Sequence, residues 1–344
     1  MYFEMEDVIN LSHGAGGELM MELISEVIVK NIGLKRAQNG IGLEALDDGA
    51  SLQFGEYEVV TSMDGHIVNP IFFPGGDIGR LAVAGTTNDI AMMGARPVAL
   101  LDAIIVEEGF SKSDLNRIIQ SMNSTAKEID VAVIGGDIKV MPRGNIDKIV
   151  LATCGIGYVK KGHIVLDSGA NPGDKVIITN DVGDHGISLL AHREGLSFQT
   201  KLKSDVAPIW NTIKAALDVG GVTAMKDPTR GGVASALNEI ARKSKVSIWI
   251  DENELPIKKS VRAASEMLGL NPLEITCEGT AIICAQPDKA DAIINAVKKT
   301  KYGKNARIIG IIKAEKPGYV FLKTMIGGTR IIDTPLGEPI PRVC

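Results

Sequence analysis

Apolar and polar residues alternate along the chain at two spacings, which separate predicted helices from predicted strands. In residues 18–32 the apolar side chains recur every three or four positions and share one helical face, formed by Leu19, Met20, Leu23, Ile24, Val27 and Ile28. Further helices are predicted for residues 79–93, for a segment that begins at Ser111 or Ser113 and runs to about 129, for residues 210–216, and for a segment that ends near 244.

Shorter apolar runs between these helices predict strands, at residues 59–62, 98–106, 131–134, 149–157, 176–179 and 246–251. The first strand is expected to end at Asp64. The strand at 131–134 is expected to be buried and to end in Gly135-Gly136-Asp137. The alternation of strands and helices indicates an α/β protein, or one with interleaved α+β layers.

One stretch recurs without a gap 150 residues later in the chain. Six identities connect the two copies, in which Arg80, Val83, Ala84, Asn88, Ile90 and Ala91 match Arg230, Val233, Ala234, Asn238, Ile240 and Ala241. Asp89 is matched by Glu239. Two interpretations remain open, because alanine and valine are common: chance similarity, or duplication of an α/β lobe with a boundary near residues 159–171.

The last twelve residues contain three prolines and a glycine and end in Cys344. Such a segment forms neither a helix nor a central strand, and extended it would reach about 35 Å. A thiol on an arm of this kind can be loaded at one site and transformed at another. The plain alternative is a frayed terminus, but an exposed thiol is uncommon on cytosolic proteins.

Length and composition narrow the class of protein. A chain of 344 residues predicts two domains, and 45% hydrophobic with 23% charged residues is ordinary for a globular protein. The net charge of -5 argues against a nucleic-acid or anionic membrane surface. Four cysteines without a Cys-x-x-Cys pair favour a reducing cytoplasm and no structural zinc. Cys154 and Cys284 are expected to be buried and inert, whereas Cys277 is left undecided.

Aspartates follow predicted strands or glycine turns at five places: Asp47-Asp48-Gly49, Asp64-Gly65, Asn88-Asp89, Gly136-Asp137 and Asp227-Pro228. Strand ends are where ligands collect in α/β sheets, and clustered carboxylates need cations such as the Mg²⁺ of a nucleotide. The alternative for any one pair is turn chemistry. Asp89 is the most informative, because it lies inside an apolar helix, where a charge is costly.

Glycines precede several helices. Gly14-Ala15-Gly16-Gly17 lies before the first helix and would let backbone N–H groups approach an anion. The loop has neither a P-loop nor a Rossmann spacing. Arg230, before Gly231-Gly232, either reaches a phosphate or pairs with a surface carboxylate.

Together these stretches resemble the HypE family of hydrogenase maturation factors, in the superfamily of aminoimidazole ribonucleotide synthetases. The resemblance begins near His13 and covers nearly the whole chain. Its most specific part is the terminal Pro341-Arg342-Val343-Cys344, where Val343 replaces the more usual isoleucine. The other matching stretches are His13 to Gly17, Leu46 to Ala50, Asp64-Gly65-His66, Phe72 to Gly79, Thr87-Asn88-Asp89, Gly136 to Lys139, Gly183-Asp184-His185-Gly186 and Asp227 to Gly232.

The resemblance implies a two-lobed fold of the aminoimidazole ribonucleotide synthetase type with a flexible C-terminal tail. Its expected parts are a glycine loop and helix (1–40), an N-terminal α/β domain that binds ATP and dimerises (41–160), a C-terminal α/β domain (161–332) and the tail (333–344). A cytoplasmic homodimer without nucleic-acid or membrane partners is expected.

The resemblance also implies a reaction. A carbamoyltransferase, HypF, loads a carbamoyl group on Cys344, ATP and Mg²⁺ support its dehydration to a thiocyanate, and a HypC–HypD complex accepts the cyano group for the iron of NiFe hydrogenase. Phosphorylation turns the amide oxygen into a leaving group, and a base must then remove the protons of the nitrogen.

Matched position by position, Cys344, Glu278 and Lys139 are the expected catalytic residues. The plain alternatives are a turn carboxylate for Glu278 and a surface lysine for Lys139. The nucleotide site is expected to use Gly14, Gly16, Gly17, Asp47, Asp48, Asp64, Asn88, Asp89, Asp137, Asp227 and Arg230. Among these, Asp48, Asp64, Asp89 and Asp227 are the expected Mg²⁺ ligands.

Three other functions fit parts of the sequence. A selenophosphate synthetase would carry a cysteine or selenocysteine and a lysine in the N-terminal glycine loop, and His13 to Gly17 contains neither. A thiamine-monophosphate kinase needs no terminal cysteine. A non-enzymatic carrier with a docking tail leaves the aspartates unexplained.

Overall fold

The computed structural model describes residues 8–195, 202–337, 340 and 342–344. The first seven residues of the predicted N-terminal segment and tail residues 338, 339 and 341 lie outside the described residues. Among the helices that are described, none is both long and apolar enough to cross a membrane.

The N-terminal half is built on a five-stranded sheet. Its elements, in chain order, are α1 (Glu18–Leu23), β1 (Ala50–Phe54), β2 (Tyr57–His66), β3 (Phe72–Phe73), β4 (Gly76–Asp77), α2 (Ile78–Met92), β5 (Arg96–Glu107), α3 (Lys112–Glu128), β6 (Ala132–Met141) and β7 (Ile149–Lys160). The strand order is β1-β2-β7-β5-β6, and only β5 and β6 are parallel. The strands β3 and β4 form a separate hairpin before α2.

The C-terminal half contains a seven-stranded sheet. Its elements are β8 (Lys175–Ile178), α4 (Asp184–Arg193), α5 (Trp210–Val219), β9 (Val222–Lys226), α6 (Gly232–Ser244), β10 (Ser247–Asp251), α7 (Lys259–Leu268), β11 (Ile282–Ala285), α8 (Ala290–Val297), β12 (Arg307–Lys313), β13 (Val320–Lys323) and β14 (Thr329–Ile332). The order is β14-β13-β10-β12-β8-β11-β9, antiparallel except between β10 and β13. Mostly antiparallel sheets with segregated helices make this an α+β fold.

One hydrophobic core joins the two halves. It includes Ile78 and Leu81 of α2, Ile213 of α5 and Ile293 of α8, all with no exposed surface. The helix α2 begins where the sequence supplies an acceptor for its first N–H groups. Asp77 accepts a hydrogen bond from the Arg80 backbone N–H at 3.0 Å at the start of α2. This cap and the shared core fix the position of α2 between the two sheets.

The structure corrects two strand predictions and decides one open alternative for a helix. The strand predicted to end at Asp64 continues to His66, so Asp64 lies within β2. Ser111, not Ser113, caps α3, since its hydroxyl accepts from the Asp114 N–H at 3.3 Å. The strand predicted to be buried at 131–134 continues to Met141 as β6, and residues 132–140 are all exposed because β6 is an edge strand.

The first helix is also different from its prediction. The helix predicted over 18–32 is α1, followed by a π-helical turn (Ile24–Ile28) and a 3₁₀ turn (Val29–Asn31), and none of these residues is buried. Of its predicted apolar face, Met20, Ile24 and Ile28 line a cavity instead of packing in the core. Among the cysteines, Cys284 and Cys277 are buried, but Cys154 is only half-buried.

Candidate active site

A cavity of about 500 Å³ lies between α1, β2, α2 and the residues that follow β9. Seven of the residues predicted for the nucleotide site line it: Gly16, Asp47, Asp48, Asp64, Asp89, Asp227 and Arg230. The apolar side chains of Met20, Met21, Ile24 and Ile28 cover one side. A cavity with carboxylates on one wall and apolar side chains on another can bind the base and the phosphates of a nucleotide in separate regions.

Each carboxylate comes from a different element. Asp64 is on β2 and accepts a hydrogen bond from the Thr86 hydroxyl at 3.0 Å. Asp89 is on α2 and accepts one from the Ser62 hydroxyl at 2.8 Å. Asp48 precedes β1 and Asp227 follows β9, so both halves of the chain contribute. These bonds orient the carboxylates toward the cavity.

The carboxylates are crowded enough to change their protonation. Burial, together with the nearby charges of Asp48 and Asp64, raises the pKa of Asp227 to about 8, although Lys226 opposes the rise. Burial, and then the charges of Asp64 and Asp227, also raises the pKa of Asp89 well above its ordinary value. Burial with the charge of Asp167 raises the pKa of Asp47 to about 7. The cavity therefore favours any bound cation.

One buried lysine supplies part of the missing positive charge. The Lys226 ammonium lies 2.5 Å from Asp48 Oδ1, 3.2 Å from Glu239 Oε2 and 3.7 Å from Asp167 Oδ2. Lys243 also pairs with Asp167, at 2.6 Å. Because Lys226 is on β9 and Asp48 is in the N-terminal half, this ion pair also connects the two halves.

The donor set fits Mg²⁺ held jointly with phosphate. The second carboxylate oxygen of Asp48, Oδ2, is buried without a hydrogen-bond partner. Within the described residues, no group of three or more His, Cys, Asp or Glu side chains is arranged to hold a metal alone. Mg²⁺ in proteins is commonly bound by one or two carboxylates, water and substrate phosphates. The aspartates fit that role and not that of a closed protein cage.

The glycine loop packs against the motif that contains Arg230. Gly16 has a φ of +75°, and a Cβ there would lie 2.4 Å from Arg230 Cβ, so only glycine fits. Gly17 is similarly close to the tail, since a Cβ added at Gly17 would lie 2.2 Å from the backbone oxygen of Pro335. Gly14 does not line the cavity; its carbonyl lies 3.5 Å from Arg230 Nη1. The loop thus brings together the nucleotide cavity, Arg230 and the tail.

The end of the tail is docked inside the protein. Val343 has no exposed surface, and Cys344 is half-buried and lines a second cavity of about 50 Å³ with Glu278 and His66. Asp64, Asp89, Thr229 and Arg230 line both cavities. The Cys344 thiol and the nucleotide cavity therefore adjoin, and the predicted flexibility of the tail stays a prediction.

Glu278, which lines the same small cavity as Cys344, has the properties of a general base. Its side-chain oxygen Oε1 is buried without a hydrogen-bond partner. Burial, followed by the charges of Asp227, Asp205 and Asp64, raises the pKa of Glu278 well above its ordinary value, and Arg230 opposes the rise. A carboxylate that is hard to ionise accepts a proton readily once it is ionised.

Three predicted site residues lie elsewhere in the single chain. Asn88 is buried beneath the site, where its Nδ2 donates to the Ala207 oxygen at 3.0 Å and its Oδ1 accepts from the Ile209 N–H at 2.9 Å. Asp137 and Lys139 pair with each other at 2.6 Å on the exposed strand β6. Neither lines the cavity that holds Cys344.

The structure adds residues that the sequence reasoning missed. Lys226 and Glu239 line the nucleotide cavity, and His185 binds the tail through the Val343 oxygen at 2.6 Å. The internal repeat contained a signal for one of them, because it pairs Glu239 with Asp89, and both line the same cavity. Lys226 directly precedes Asp227 but belongs to no motif of its own.

Both halves of the chain match known domain families. Residues 46–159 match the AIR synthase related protein, N-terminal domain, and residues 171–323 match the AIR synthase related protein, C-terminal domain. Fold and matched domains together define a two-domain protein of the AIR synthase related class.

Curated relatives and solved structures narrow this class. The chain is 48% identical to a protein of Methanocaldococcus jannaschii whose name assigns it to hydrogenase expression or formation, over 98% of this chain and 99% of the relative. It is 42% identical to carbamoyl dehydratase HypE of Rhizobium leguminosarum bv. viciae, over 98% of this chain and 95% of the relative. The chain belongs to the HypE family.

Two solved structures are similar along most of their length. The HypE chain of a HypE–HypF complex has a TM-score of 0.84 and 39% identity, covering 93% of this chain and 100% of that one. A HypE in complex with ATP has a TM-score of 0.81 and 36% identity, covering 98% and 100%.

The raised pKa values predict that the nucleotide-free protein loses stability as the pH rises. The pKa of Asp47 is raised to about 7 and that of Asp227 to about 8, whereas carboxyls in an unfolded chain titrate near pH 4. At pH values between the pKa of an unfolded carboxyl and these raised pKa values, the folded state binds more protons than the unfolded state. The free energy of unfolding therefore falls from pH 5 to pH 8. Asp227→Asn should reduce this fall by about 1 kcal/mol or more.

Urea denaturation without nucleotide, at pH values from 5 to 8, measures this slope. Asp288→Asn, on the exposed surface, is the matched control and should keep the wild-type slope. Equal slopes for Asp227→Asn and the wild type would show that Asp227 is already ionised in the folded protein.

Proposed function

We propose that this protein uses ATP to dehydrate an S-carbamoyl group on its own Cys344 to a thiocyanate, which supplies the cyanide ligand of a NiFe hydrogenase iron. The observation that carries the proposal is the location of Cys344 beside Glu278, in a small cavity that adjoins the carboxylate-lined cavity. Membership of the HypE family, whose relatives include a protein named carbamoyl dehydratase, supports the same reaction.

The reaction has two chemical steps, and each removes one proton from nitrogen. In the first, the carbamoyl oxygen on Cys344 attacks the γ-phosphorus of ATP, ADP leaves, and the nitrogen loses one proton. In the second, the bond from carbon to the phosphorylated oxygen breaks, inorganic phosphate leaves, and the nitrogen loses its remaining proton as the C≡N bond forms. The sum is one thiocyanate, one ADP, one phosphate and one released proton for each thiocarbamate and ATP, because the phosphate carries the other proton away.

Glu278 is the proposed base for these protons. It lines the same small cavity as Cys344, so a carbamoyl group attached to the sulfur would extend toward it. Its backbone is held firmly, since the Glu278 N–H donates to Asp205 Oδ1 at 3.1 Å and its oxygen accepts from the Ala207 N–H at 3.3 Å. Arg230, which lines the same cavity, adds positive charge that favours the ionised form needed to take a proton.

Mg²⁺ is proposed as the metal of the nucleotide site. When bound, it supplies positive charge to the phosphates and to the aspartates that surround them. Asp48, with its unpartnered Oδ2, together with Asp64, Asp89 and Asp227, would hold it. Lys226 favours the ionised form of Asp48 and holds it in place, because its ammonium lies against the other oxygen, Oδ1.

The proposed partners act on the same tail at other places. A HypF-type carbamoyltransferase loads the Cys344 thiol, as the structure of a related HypE–HypF complex suggests, and a HypC–HypD complex receives the cyano group. The cavity around Cys344 is only about 50 Å³, too small for a partner's active site, so both transfers require the tail to leave. A reducing cytoplasm suits a protein whose four cysteines form no disulfide.

A homodimer is proposed to complete the site. The edge strand β6 exposes four apolar side chains, with 49% to 65% of each accessible: Val133, Ile134, Ile138 and Val140. An unpaired strand with such side chains is a template for a second copy. A second copy placed on β6 would shield Lys139 and Asp137 from bulk solvent. Lys139 is therefore proposed to act on the tail or the phosphate across the dimer.

Two substitutions separate loading from dehydration. Cys344→Ala should yield neither thiocarbamate nor thiocyanate, because the acceptor sulfur is gone. Glu278→Gln should still be loaded but should accumulate thiocarbamate, since an amide cannot take the proton; a loss of about 100-fold or more in conversion is expected. Mass spectrometry of the C-terminal peptide after incubation with carbamoyl donor and ATP distinguishes the three species. Normal thiocyanate formation in Glu278→Gln would remove Glu278 from the mechanism.

Removal of single carboxylates tests the nucleotide site. Asp64→Asn and Asp89→Asn should lower Mg²⁺-dependent ATP turnover by about 100-fold or more, because each removes a negative ligand and leaves the fold intact. Phosphate release by the two variants is compared with that of Asp288→Asn. Wild-type rates in both site variants would place ATP elsewhere.

The dimer has its own test. Ile138→Lys should give a monomer at micromolar concentration, because it places a charge in the centre of the exposed β6 surface. Ile326→Lys is the matched control, since Ile326 is 96% exposed in a turn away from β6, and it should stay dimeric. Light scattering coupled to size exclusion measures both masses. A wild-type monomer at this concentration would contradict the dimer.

A further inference from the structure

Two side chains of one helix hold the backbone of the last tail residues. His185 Nε2 lies 2.6 Å from the Val343 oxygen, and Arg193 Nη2 donates to the Arg342 oxygen at 3.1 Å. Both residues belong to α4 and are eight positions apart, which is about two helical turns and therefore the same face. The tail thus crosses one face of α4 before it reaches the small cavity that Cys344 lines.

The tautomer of His185 follows from its partners. A carbonyl oxygen can only accept, so Nε2 must carry the proton that is donated to Val343. Nδ1 lies 2.7 Å from the Ser204 hydroxyl oxygen, which itself accepts from the Val206 N–H at 3.0 Å. Burial lowers the pKa of His185, although Asp205 and the bond to Val343 act against this, so the ring is neutral at pH 7. Ser204 therefore donates to Nδ1 and fixes the ring.

The residue after Ser204 holds the loop that contains Glu278. Asp205 accepts hydrogen bonds from the Glu278 N–H at 3.1 Å, the Gly279 N–H at 3.0 Å and the Thr280 hydroxyl at 3.1 Å. A Cβ on Gly279 would lie 1.9 Å from the Asp205 oxygen, so the two segments are in close backbone contact. Two adjacent residues, Ser204 and Asp205, thus orient the tail clamp and the proposed base.

We propose that His185 is a positioning residue which clamps the Val343 carbonyl and thereby holds the Cys344 sulfur beside Glu278 during dehydration. This role rests on the proposed function. His185 touches no reacting atom; it fixes the residue next to the modified cysteine, so that the carbamoyl group samples few orientations. Loss of such placement can slow a reaction about 100-fold. Ser204 supports the clamp through the ring tautomer.

Matched substitutions at His185 test the clamp. In His185→Gln the side-chain amide reaches the same distance as Nε2 and can donate to Val343, whereas in His185→Asn the shorter amide reaches only toward Ser204. Conversion of protein that already carries the carbamoyl group is followed in a single turnover by mass spectrometry, so loading does not enter. We expect His185→Asn to slow thiocyanate formation about 10- to 100-fold and His185→Gln to stay within about fivefold of wild type.

A second measurement separates the clamp from the reaction. A thiol-reactive aromatic disulfide should label Cys344 more than tenfold faster in His185→Asn than in wild type or His185→Gln, with Cys344→Ala as the blank.

If wild-type protein forms no thiocyanate, the proposed function fails while labelling still tests the clamp. Equal labelling of all three proteins, or equal conversion by His185→Asn and wild type, would overturn the clamp. Equal losses of conversion in His185→Asn and His185→Gln would mean that His185 has a structural role only. Ser204→Ala, expected to show a smaller increase in labelling, replaces His185→Asn if that variant does not fold.

Discussion

The active site depends on one electrostatic constraint, which is the burial of several carboxylates around a single lysine. Burial raises the pKa of Asp48, Asp89 and Asp227, and the charge of Asp48 raises the pKa of the other two. Among the described residues, Lys226 is the buried cation that lies against Asp48. This imbalance is unfavourable in the empty cavity and becomes favourable when the cavity holds a cation. The same property that weakens the free protein would therefore favour the metal-bound nucleotide that is proposed for this site.

The fold meets this constraint by placing the carboxylates on elements that cannot move apart easily. Asp89 projects from α2, whose core side chains pack against both halves of the chain. The adjacent residue of the same helix, Asn88, points away from the cavity and holds the Ala207 and Ile209 backbone. The segment 204–207 then connects the Glu278 loop to the tail clamp. Nucleotide site, base and tail are thus parts of one hydrogen-bonded unit.

Local pattern was sufficient to find α2 and the aspartates that line the cavity, because periodicity and turn residues are visible in short windows. The proline-rich ending was equally visible and led to the prediction for Cys344, which stays a prediction. The exposure of β6 was not visible, since an apolar run looks the same whether its own chain or another surface covers it. Asn88 was assigned to the cofactor, although its amide holds backbone 119 or more residues away. His185 and Asp205 were missed for the same reason, as their partners are distant in sequence.

The docked tail also acts as a competitor against the proteins that must use it. Ile340 and Val343 are almost fully buried, and the removal of their apolar surface from water favours the docked position. A tethered segment faces its own cavity at an effective concentration that reaches about the millimolar range. A partner sees only the undocked fraction, so its apparent affinity is lowered by that fraction. The arm therefore stays inside by default, and each transfer is controlled by how strongly the receiving protein binds it.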